Sequence, residues 1–256
     1  MSDASNPFSL QGRRVLVTGA ASGIGLATST LVSKLGGRLL AVDSNEEGLN
    51  RAIATFEGNH HETKCWDLRL VEQIPSWLRQ AAAESGPFFG LVHAAGLSCI
   101  QPVRLLDPSC YRDVLLVNTE AALALVRGFQ QKKAADPAGG SIVFLTSVMG
   151  LVGSAGAAAY GMSKGALVGL AKSLSVELAA KKIRVNCVAP GFVKTPMFDR
   201  LSGLWESEQR AQVEAAHPLG LGEPQDVANA VAFLLAETGR WITGSVMVVD
   251  GGYTAH

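Results

Sequence analysis

Ser147, Tyr160 and Lys164 have residue types and a spacing that could move a proton at a carbinol or carbonyl oxygen. An apolar, strand-like run delivers Ser147, and a helical pattern then carries Tyr160 and Lys164, which share a helix face because they are roughly one turn apart. An ammonium about 4 Å from a phenol contributes at most ~4 kcal/mol at an effective dielectric of ~20. That energy would lower the phenol pKa by up to about three units. The spacing therefore predicts that Lys164 activates Tyr160 while Ser147 holds the substrate oxygen.

Each of these three residues also has an ordinary structural interpretation. A Tyr followed one turn later by a Lys is common on exposed helices, and Ser147 could be a cap or turn residue. The chemical interpretation therefore depends on what the surrounding elements place beside the three side chains.

A glycine-rich segment joins the first predicted strand, residues 13–18, to a helix with an apolar face. Glycines at such a joint let the backbone approach a pyrophosphate, whose charge the free amides at the helix start would meet. A purely structural turn is the alternative. The residues predicted to bind a nucleotide cofactor here are Gly19, Ser22, Gly23, Ile24 and Gly25.

Asp43 ends the second predicted strand, where a carboxylate can accept hydrogen bonds from the adenosine ribose and would repel a 2′-phosphate. No Arg or Lys occurs at 20–25 or 44–47 to hold such a phosphate. The alternative is that Asp43 caps the next helix, with Glu46 completing a capping box. The first interpretation predicts NAD rather than NADP as the cofactor.

Further strand ends supply the other predicted cofactor contacts. Asp67 and Leu68 follow the third strand, where Asp67 could contact the adenine edge or form an ordinary turn. The small residues Ala94, Ala95 and Gly96 follow the fourth strand and suit close passage of a cofactor.

Seven strands alternating with helices predict a single Rossmann-like α/β domain over residues 1–256, with a doubly wound parallel sheet and ligands at the carboxyl ends of its strands. Residues 192–217 lack a single clean period and form a candidate lid and substrate wall. Their apolar residues, which are mixed with charges, are Phe192, Met197, Phe198, Leu201, Leu204 and Trp205. A solvated helical insertion is the alternative.

The predicted helices include 45–57, 71–84 and 108–133, and the predicted strands include 61–66, 88–93 and 245–249.

Asn118 interrupts an otherwise apolar part of the predicted helix over 108–133. A buried amide must find hydrogen-bond partners. It could bridge backbone groups, or it could hold a water that passes protons to Lys164.

Composition excludes several classes of function. The 256 residues carry 22 Lys and Arg against 22 Asp and Glu, so no basic excess indicates nucleic acid or an anionic membrane as a partner. The first residues lack the apolar region of a secretory signal, and no apolar run is long enough to span a bilayer. We therefore expect a cytoplasmic protein without a membrane partner.

The four cysteines are scattered through the chain without a C-x-x-C pair. Their spacing indicates neither a zinc site nor a redox dithiol, and we expect no bound metal. Buried free thiols in a reducing compartment are the expected state of Cys65, Cys99, Cys110 and Cys187.

Taken together, these motifs resemble those of the short-chain dehydrogenase/reductase family over essentially the whole chain, including its members of the 3-oxoacyl-carrier-protein reductase type. The segment 18–25 resembles the family's cofactor loop, and residues 249–252 match its usual ending. The family's catalytic tetrad is matched by Asn118, Ser147, Tyr160 and Lys164, and its nicotinamide-side loop by Pro190, Gly191, Val193 and Thr195.

The resemblance implies reversible oxidation of an alcohol to a ketone or aldehyde with NAD or NADP, commonly by a homotetramer. By analogy Tyr160 is the acid/base and Ser147 holds the substrate oxygen. Lys164 would bind the nicotinamide ribose, Asn118 would support a proton-relay water, and Thr195 would contact the carboxamide.

Two departures from the family pattern limit the assignment. The usual Asn-Asn-Ala-Gly is here residues 93–96, beginning with His93, and the Gly-Asn-x-Gly-Gln of the 3-oxoacyl-carrier-protein reductases is replaced at 153–157. An NAD-linked dehydrogenase or ketoreductase is therefore favoured over an NADPH-dependent 3-oxoacyl thioester reductase, although lysines at 132–133 and 181–182 could dock a carrier protein. A non-catalytic, cofactor-binding regulatory protein is the alternative of another class.

Overall fold

The computed structural model describes residues 6–203 and 205–255, which contain a parallel sheet in the strand order β3-β2-β1-β4-β5-β6-β7. Leu204 of the candidate lid lies outside the described residues. The strands are β1 (Arg14–Thr18), β2 (Arg38–Asp43), β3 (Glu62–Cys65), β4 (Gly90–His93), β5 (Gly140–Leu145), β6 (Ile183–Pro190) and β7 (Val246–Val249).

Helices connect these strands and cover both faces of the sheet. They are α1 (Gly23–Lys34), α2 (Glu46–Ile53), α3 (Ile74–Ser85), α4 (Pro108–Leu115), α5 (Ala121–Phe129), α6 (Ala158–Glu177), α7 (Pro196–Ser202), α8 (Ser207–Ala215) and α9 (Pro224–Leu235). None of the described helices is long and apolar enough to cross a bilayer.

Alternating residues of β1 pack into separate cores on the two faces of the sheet. Leu16 packs on the face where Leu78 of α3 and Phe129 of α5 are buried. Val15 and Val17 pack on the opposite face with Val231 of α9. Burial on both faces explains the nearly continuous apolar strands and confirms the predicted doubly wound parallel sheet. The strand order reverses between β1 and β4, where such folds leave a crevice at the carboxyl ends.

The predicted continuous helix over 108–133 is wrong. It consists of α4, a π-helical turn at Leu116–Glu120, and α5, which ends at Phe129. The wider turn contains Asn118, which is fully buried. A π turn alters the side-chain directions of an α-helix and recurs at functional sites. Sequence periodicity in the flanking apolar residues does not reveal it.

Two other predicted boundaries are also wrong. The predicted helix over 45–57 is the shorter α2, and the predicted strand over 88–93 begins at Gly90. The candidate lid forms the short helices α7 and α8. Phe198 of α7 is buried, whereas no residue of α8 is buried. The segment therefore has a feature of each predicted alternative, a packed wall in α7 and a solvated helix in α8.

The expectation of four free buried thiols is wrong for three cysteines. A disulfide joins Cys99 to Cys110, with their Cα atoms 6.2 Å apart, and the free thiol of Cys65 is exposed. The segment after β4 turns back onto α4, so residues separated along the sequence come together. Cys187 is free and buried as expected, and burial raises the pKa of its thiol to about 12.

Reduction of the Cys99–Cys110 bond, or the change Cys110→Ser, is expected to lower the free energy of unfolding by about 2–3 kcal/mol, because the bond closes a short loop in the unfolded chain. Urea unfolding with and without reductant measures the effect, and Cys65→Ser is the matched control. Disulfides are uncommon in reducing compartments. An intact mass that reductant does not change would contradict the bond.

Candidate active site

A cleft of about 840 Å³ lies at the carboxyl ends of the strands. It brings together nearly all residues that the sequence singled out, with Asn118 behind its lining. Because those residues come from many separate chain segments, their convergence is a property of the tertiary structure. The predicted residues that line the cleft are Gly19, Ser22, Gly23, Ile24, Gly25, Asp43, Asp67, Leu68, Ala94, Ala95, Gly96, Ser147, Tyr160, Lys164, Pro190, Gly191, Val193 and Thr195.

The joint between β1 and α1 fits a nucleotide pyrophosphate. A Cβ at Gly19 would lie 2.7 Å from the backbone nitrogen of Ala95, and a Cβ at Gly25 would collide with the Gly19 carbonyl. Ser22 makes no side-chain cap, and the first turn of α1 has no acidic residue. The first residues of α1 line the cleft, and their amides have no competing side-chain acceptor, as an anion site requires.

Asp43 is held in place by two backbone amides. Its Oδ2 accepts a hydrogen bond from Ala21 at 3.0 Å, and its Oδ1 accepts one from Asn45 at 3.0 Å. Asn45, rather than Asp43, is the N-cap of α2, because the Asn45 side chain accepts from the amide of Gly48. The alternative in which Asp43 caps α2 is therefore wrong. The Asp43 carboxylate lines the cleft and holds Ala21 of the glycine-rich segment by a hydrogen bond.

Asp67 forms a turn, which was the alternative to an adenine contact, and it also lines the cleft. Its Oδ1 accepts the backbone amide of Arg69 at 2.9 Å, and its Oδ2 lies 3.4 Å from the Arg69 guanidinium. Arg69 also approaches Asp113 of α4 at 3.7 Å. These exposed contacts organise the edge of the cleft next to Leu68.

Ser147, Tyr160 and Lys164 meet where β5 ends and α6 begins. Ser147 has extended backbone geometry, and its hydroxyl accepts the amide of Met149 at 3.1 Å. Lys164 is 4% exposed, and its Nζ lies 5.8 Å from the centre of the Tyr160 ring. That ammonium donates a hydrogen bond to the carbonyl of Leu145 at 2.8 Å, which ties α6 to β5.

The predicted lowering of the Tyr160 pKa by Lys164 is wrong for this geometry. Burial raises the pKa of Tyr160 to about 12, opposed by the hydroxyl of Ser147. Burial also lowers the pKa of Lys164 to about 8. The loss of water around the Tyr160 phenolate and the Lys164 ammonium disfavours both charged forms. This desolvation outweighs the attraction between the two groups that their helix spacing predicts. Tyr160 is consequently a protonated phenol at neutral pH and is ready to donate a proton.

Asn118 bridges backbone groups, which was one of its two interpretations. Its Nδ2 donates to the carbonyl of Leu97 and the hydroxyl of Ser163, both at 3.0 Å, and its Oδ1 accepts the Leu97 amide at 2.8 Å. The Ser163 hydroxyl donates in turn to the carbonyl of Tyr160 at 2.7 Å. The Asn118 side chain thus connects the segment after β4 to the start of α6.

His93 extends this connection to the cofactor segment. Its Nε2 lies 3.3 Å from the carbonyl of Asn118, and its Nδ1 lies 2.9 Å from the hydroxyl of Thr18, which accepts the amide of Ala95 at 3.2 Å. Burial and the charge of Lys164 lower the pKa of His93 to about 3, so the ring is neutral. Since a carbonyl can only accept, Nε2 carries the proton and Nδ1 accepts from Thr18.

Sequence reasoning missed the contacts of His93 and Ser163, and it missed that Tyr253 joins the aromatic side chains around Phe192. The Phe192 ring centre lies 5.9 Å from that of Trp205 and 6.1 Å from that of Tyr253. A polar residue ending a buried strand was a usable signal for His93. No local pattern indicated that Tyr253, near the end of the chain, returns to the cleft.

Known proteins resemble this chain over nearly its whole length. A family model described as enoyl-(acyl carrier protein) reductase matches residues 19–254. The cis-4-hydroxycyclohexanecarboxylate dehydrogenase of Sinomonas cyclohexanicum is 35% identical over 249 residues, covering 95% of this chain and 97% of the relative. The 3-oxoacyl-[acyl-carrier-protein] reductase FabG of Escherichia coli is 33% identical over 250 residues, covering 96% and 98%.

Solved structures show the same architecture. A structure from Sinorhizobium meliloti described as a short-chain alcohol dehydrogenase superposes with a TM-score of 0.90 at 33% identity, covering 98% of this chain and 99% of the other. A structure from Beutenbergia cavernae described as an NAD(P)-dependent gluconate 5-dehydrogenase with bound NADP gives 0.89 at 32% identity, covering 98% and 100%. The chain belongs to the short-chain dehydrogenase/reductase family, whose members are NAD(P)-dependent oxidoreductases acting on CH–OH and C=O groups.

Proposed function

We propose that the protein interconverts a secondary alcohol and a ketone with NAD(H), using Tyr160 as the acid/base. The observation that carries this proposal is the partly buried phenol of Tyr160 beside the hydroxyl of Ser147 and the buried Lys164, in a cleft whose other end fits a nucleotide. The experiment is turnover of ketones with NADH, and of secondary alcohols with NAD⁺, by the purified protein. Absence of turnover with every carbonyl and both cofactors would contradict the proposal.

The proton-transfer step uses the chain's own residues. In reduction Tyr160 donates its proton to the carbonyl oxygen, which Ser147 holds by a hydrogen bond, and in oxidation Tyr160 accepts the hydroxyl proton. When bound, the nicotinamide supplies or accepts the hydride at the substrate carbon. Lys164 has donors left after its bond to Leu145 and would bind the nicotinamide ribose.

The remaining cofactor contacts follow the geometry of the cleft. The start of α1 would hold the pyrophosphate, Asp67 and Leu68 the adenine, and Thr195 the carboxamide. Pro190, Gly191 and Val193 would form the nicotinamide side, and Ala94, Ala95 and Gly96 would allow close passage. In this proposal residues 1–256 form one domain, and residues 192–217 close over the substrate. Asn118 acts by holding the segment after β4 against α6.

The proposed NAD preference rests on Asp43. Wild-type protein is expected to bind NADH at least about tenfold more tightly than NADPH, because the carboxylate would face the additional phosphate. Asp43→Asn should bring the affinities for NADH and NADPH closer together. Glu47→Gln, which removes a negative charge on α2 outside the described cleft lining, is the control. Titration of nicotinamide fluorescence measures both affinities, and tighter NADPH binding by the wild type would refute the preference.

An NADPH-dependent 3-oxoacyl thioester reductase is the second candidate. The family match and the FabG relatives favour it, and a solved relative has NADP bound. Asp43 and the altered segment 153–157 argue against it. The relative that acts on cis-4-hydroxycyclohexanecarboxylate supports a dehydrogenase of small alcohols instead.

We also propose a homotetramer, by analogy with the family. Several large apolar side chains are exposed on α5, on α6 and near the end of the chain, where contacts between subunits could cover them. They are Leu123, Met162, Val176, Trp241 and Val248. Light scattering of the purified protein measures its mass and decides whether it is a tetramer.

A cytoplasmic location stays a prediction, which fractionation of the source cells would test.

A further inference from the structure

The substrate side of the cleft has an aromatic wall, defined as Phe192, Phe198, Trp205 and Tyr253. Their ring centres form a connected group, with Phe192 and Phe198 6.1 Å apart and Phe198 and Trp205 5.8 Å apart in edge-on arrangements. All four residues line the cleft. Such a wall favours contact with an apolar body, because aromatic side chains contribute large contact areas and few hydrogen bonds.

The surroundings of the aromatic wall are also largely apolar. Met149, Met197 and Val213 line the same cleft, and Gln209 and Gln212 of α8 add polar side chains. The Oε1 atom of Gln209 already accepts the amide of Glu206 at 3.2 Å, which leaves its Nε2 as a donor. A polyhydroxylated substrate would leave several of its hydroxyl groups without partners on the aromatic wall, which costs binding free energy.

Charge on this side of the cleft comes from Arg200 of α7. The other charged residues in the described cleft lining are Asp43, Asp67 and Arg69 at the proposed adenosine end and Lys164 at the reacting centre. Arg200 forms no ion pair within residues 6–203 and 205–255. The neighbouring lid acid Glu214 is paired with Arg210, with N and O atoms 3.2 Å apart, and does not line the cleft.

We propose that the substrate is a secondary alcohol or ketone with an apolar, ring-sized body and a carboxylate, the body lying on the aromatic wall and the carboxylate binding Arg200. This inference rests on the proposed function and adds the substrate class. Arg is suited to the carboxylate because its planar guanidinium can donate two parallel hydrogen bonds. The aromatic wall and the cation together favour this class over sugar-like polyols and over uncharged ketones.

A matched set of ketones separates the two features. 4-Oxocyclohexanecarboxylate has the carboxylate and the apolar ring, its methyl ester lacks the charge, and 5-oxogluconate keeps the charge on a polyhydroxylated body. Acetoacetyl-pantetheine represents the carrier-protein thioesters. The wild type is expected to show a kcat/KM for the ring acid about 10- to 100-fold above that for its ester, with the polyol lower still.

Two arginine substitutions test the assignment to Arg200. Arg200→Gln is expected to raise KM for the ring acid about 10- to 100-fold, with kcat within about twofold and the ester unaffected. Arg79→Gln, at an exposed position of α3 outside the cleft lining, should leave all values unchanged. Binding of the unreactive cyclohexanecarboxylate, followed by tryptophan fluorescence through Trp205, gives a second readout that requires no turnover.

Several outcomes would overturn the inference. They are equal use of acid and ester by the wild type, preference for the polyol or the thioester, and equal effects of the two arginine substitutions. Turnover of the ester or thioester without an Arg200 effect would reject the substrate class while leaving the oxidoreductase proposal intact. Failure with every ketone and both cofactors would reject both.

Discussion

Replacing Tyr160 with Phe is expected to lower kcat about 10²- to 10⁴-fold and to leave cofactor affinity nearly unchanged. Phenylalanine keeps the partly buried ring and removes only the hydroxyl that Ser147 contacts. Steady-state rates in both directions, together with fluorescence titration of the cofactor, measure the two effects. Tyr111→Phe is the control, because Tyr111 lies outside the cleft lining.

The pH dependence should identify the same group. Because burial raises the pKa of Tyr160 to about 12, the phenol is protonated at neutral pH and can donate its proton in reduction. Oxidation instead requires the phenolate, whose population rises about tenfold per pH unit below that pKa. Oxidation by the wild type is therefore expected to accelerate with pH, and Tyr160→Phe should lose this acceleration. Unchanged turnover in that variant would refute the assignment of the acid/base.

His93→Leu is expected to lower the free energy of unfolding by about 2–4 kcal/mol at pH 7. Leucine has neither donor nor acceptor, so the buried carbonyl of Asn118 and the hydroxyl of Thr18 would each lose a partner. His93→Asn can supply one donor and one acceptor and should recover part of the stability and of kcat. Urea unfolding and steady-state kinetics measure the series. A leucine variant as stable as the wild type would show that the bridge contributes nothing.

His93 should also make the wild type sensitive to acid. Its pKa is about 3 in the folded protein and 6.5 in the reference state, so the unfolded chain binds a proton that the folded protein excludes. Stability from this group is therefore complete above pH 6.5 and is lost as the pH falls toward 3, by roughly 2 kcal/mol at pH 5. The Asn variant lacks this group, so its unfolding free energy should decline less between pH 7 and pH 5.

Local sequence patterns were sufficient to predict those features of the structure that depend on residues close together in the chain. The glycine-rich segment, the strand end at Asp43, the turn at Asp67 and the shared face of Tyr160 and Lys164 follow from turn chemistry and helical period. Periodicity failed at Asn118, because its buried amide lies in a π turn whose partners, Leu97 and Ser163, come from other segments.

The sequence by itself determined the alternation of strands and helices, the cofactor segment and the residue types at the reacting centre, because these depend on short-range order. Only the tertiary structure decided that Tyr160 has a raised pKa, since desolvation depends on everything packed around the phenol. It also decided the Cys99–Cys110 bond, the bridge through His93, and the aromatic wall beside Arg200. Each of these joins residues from separate segments, and their encounter depends on how the whole chain packs.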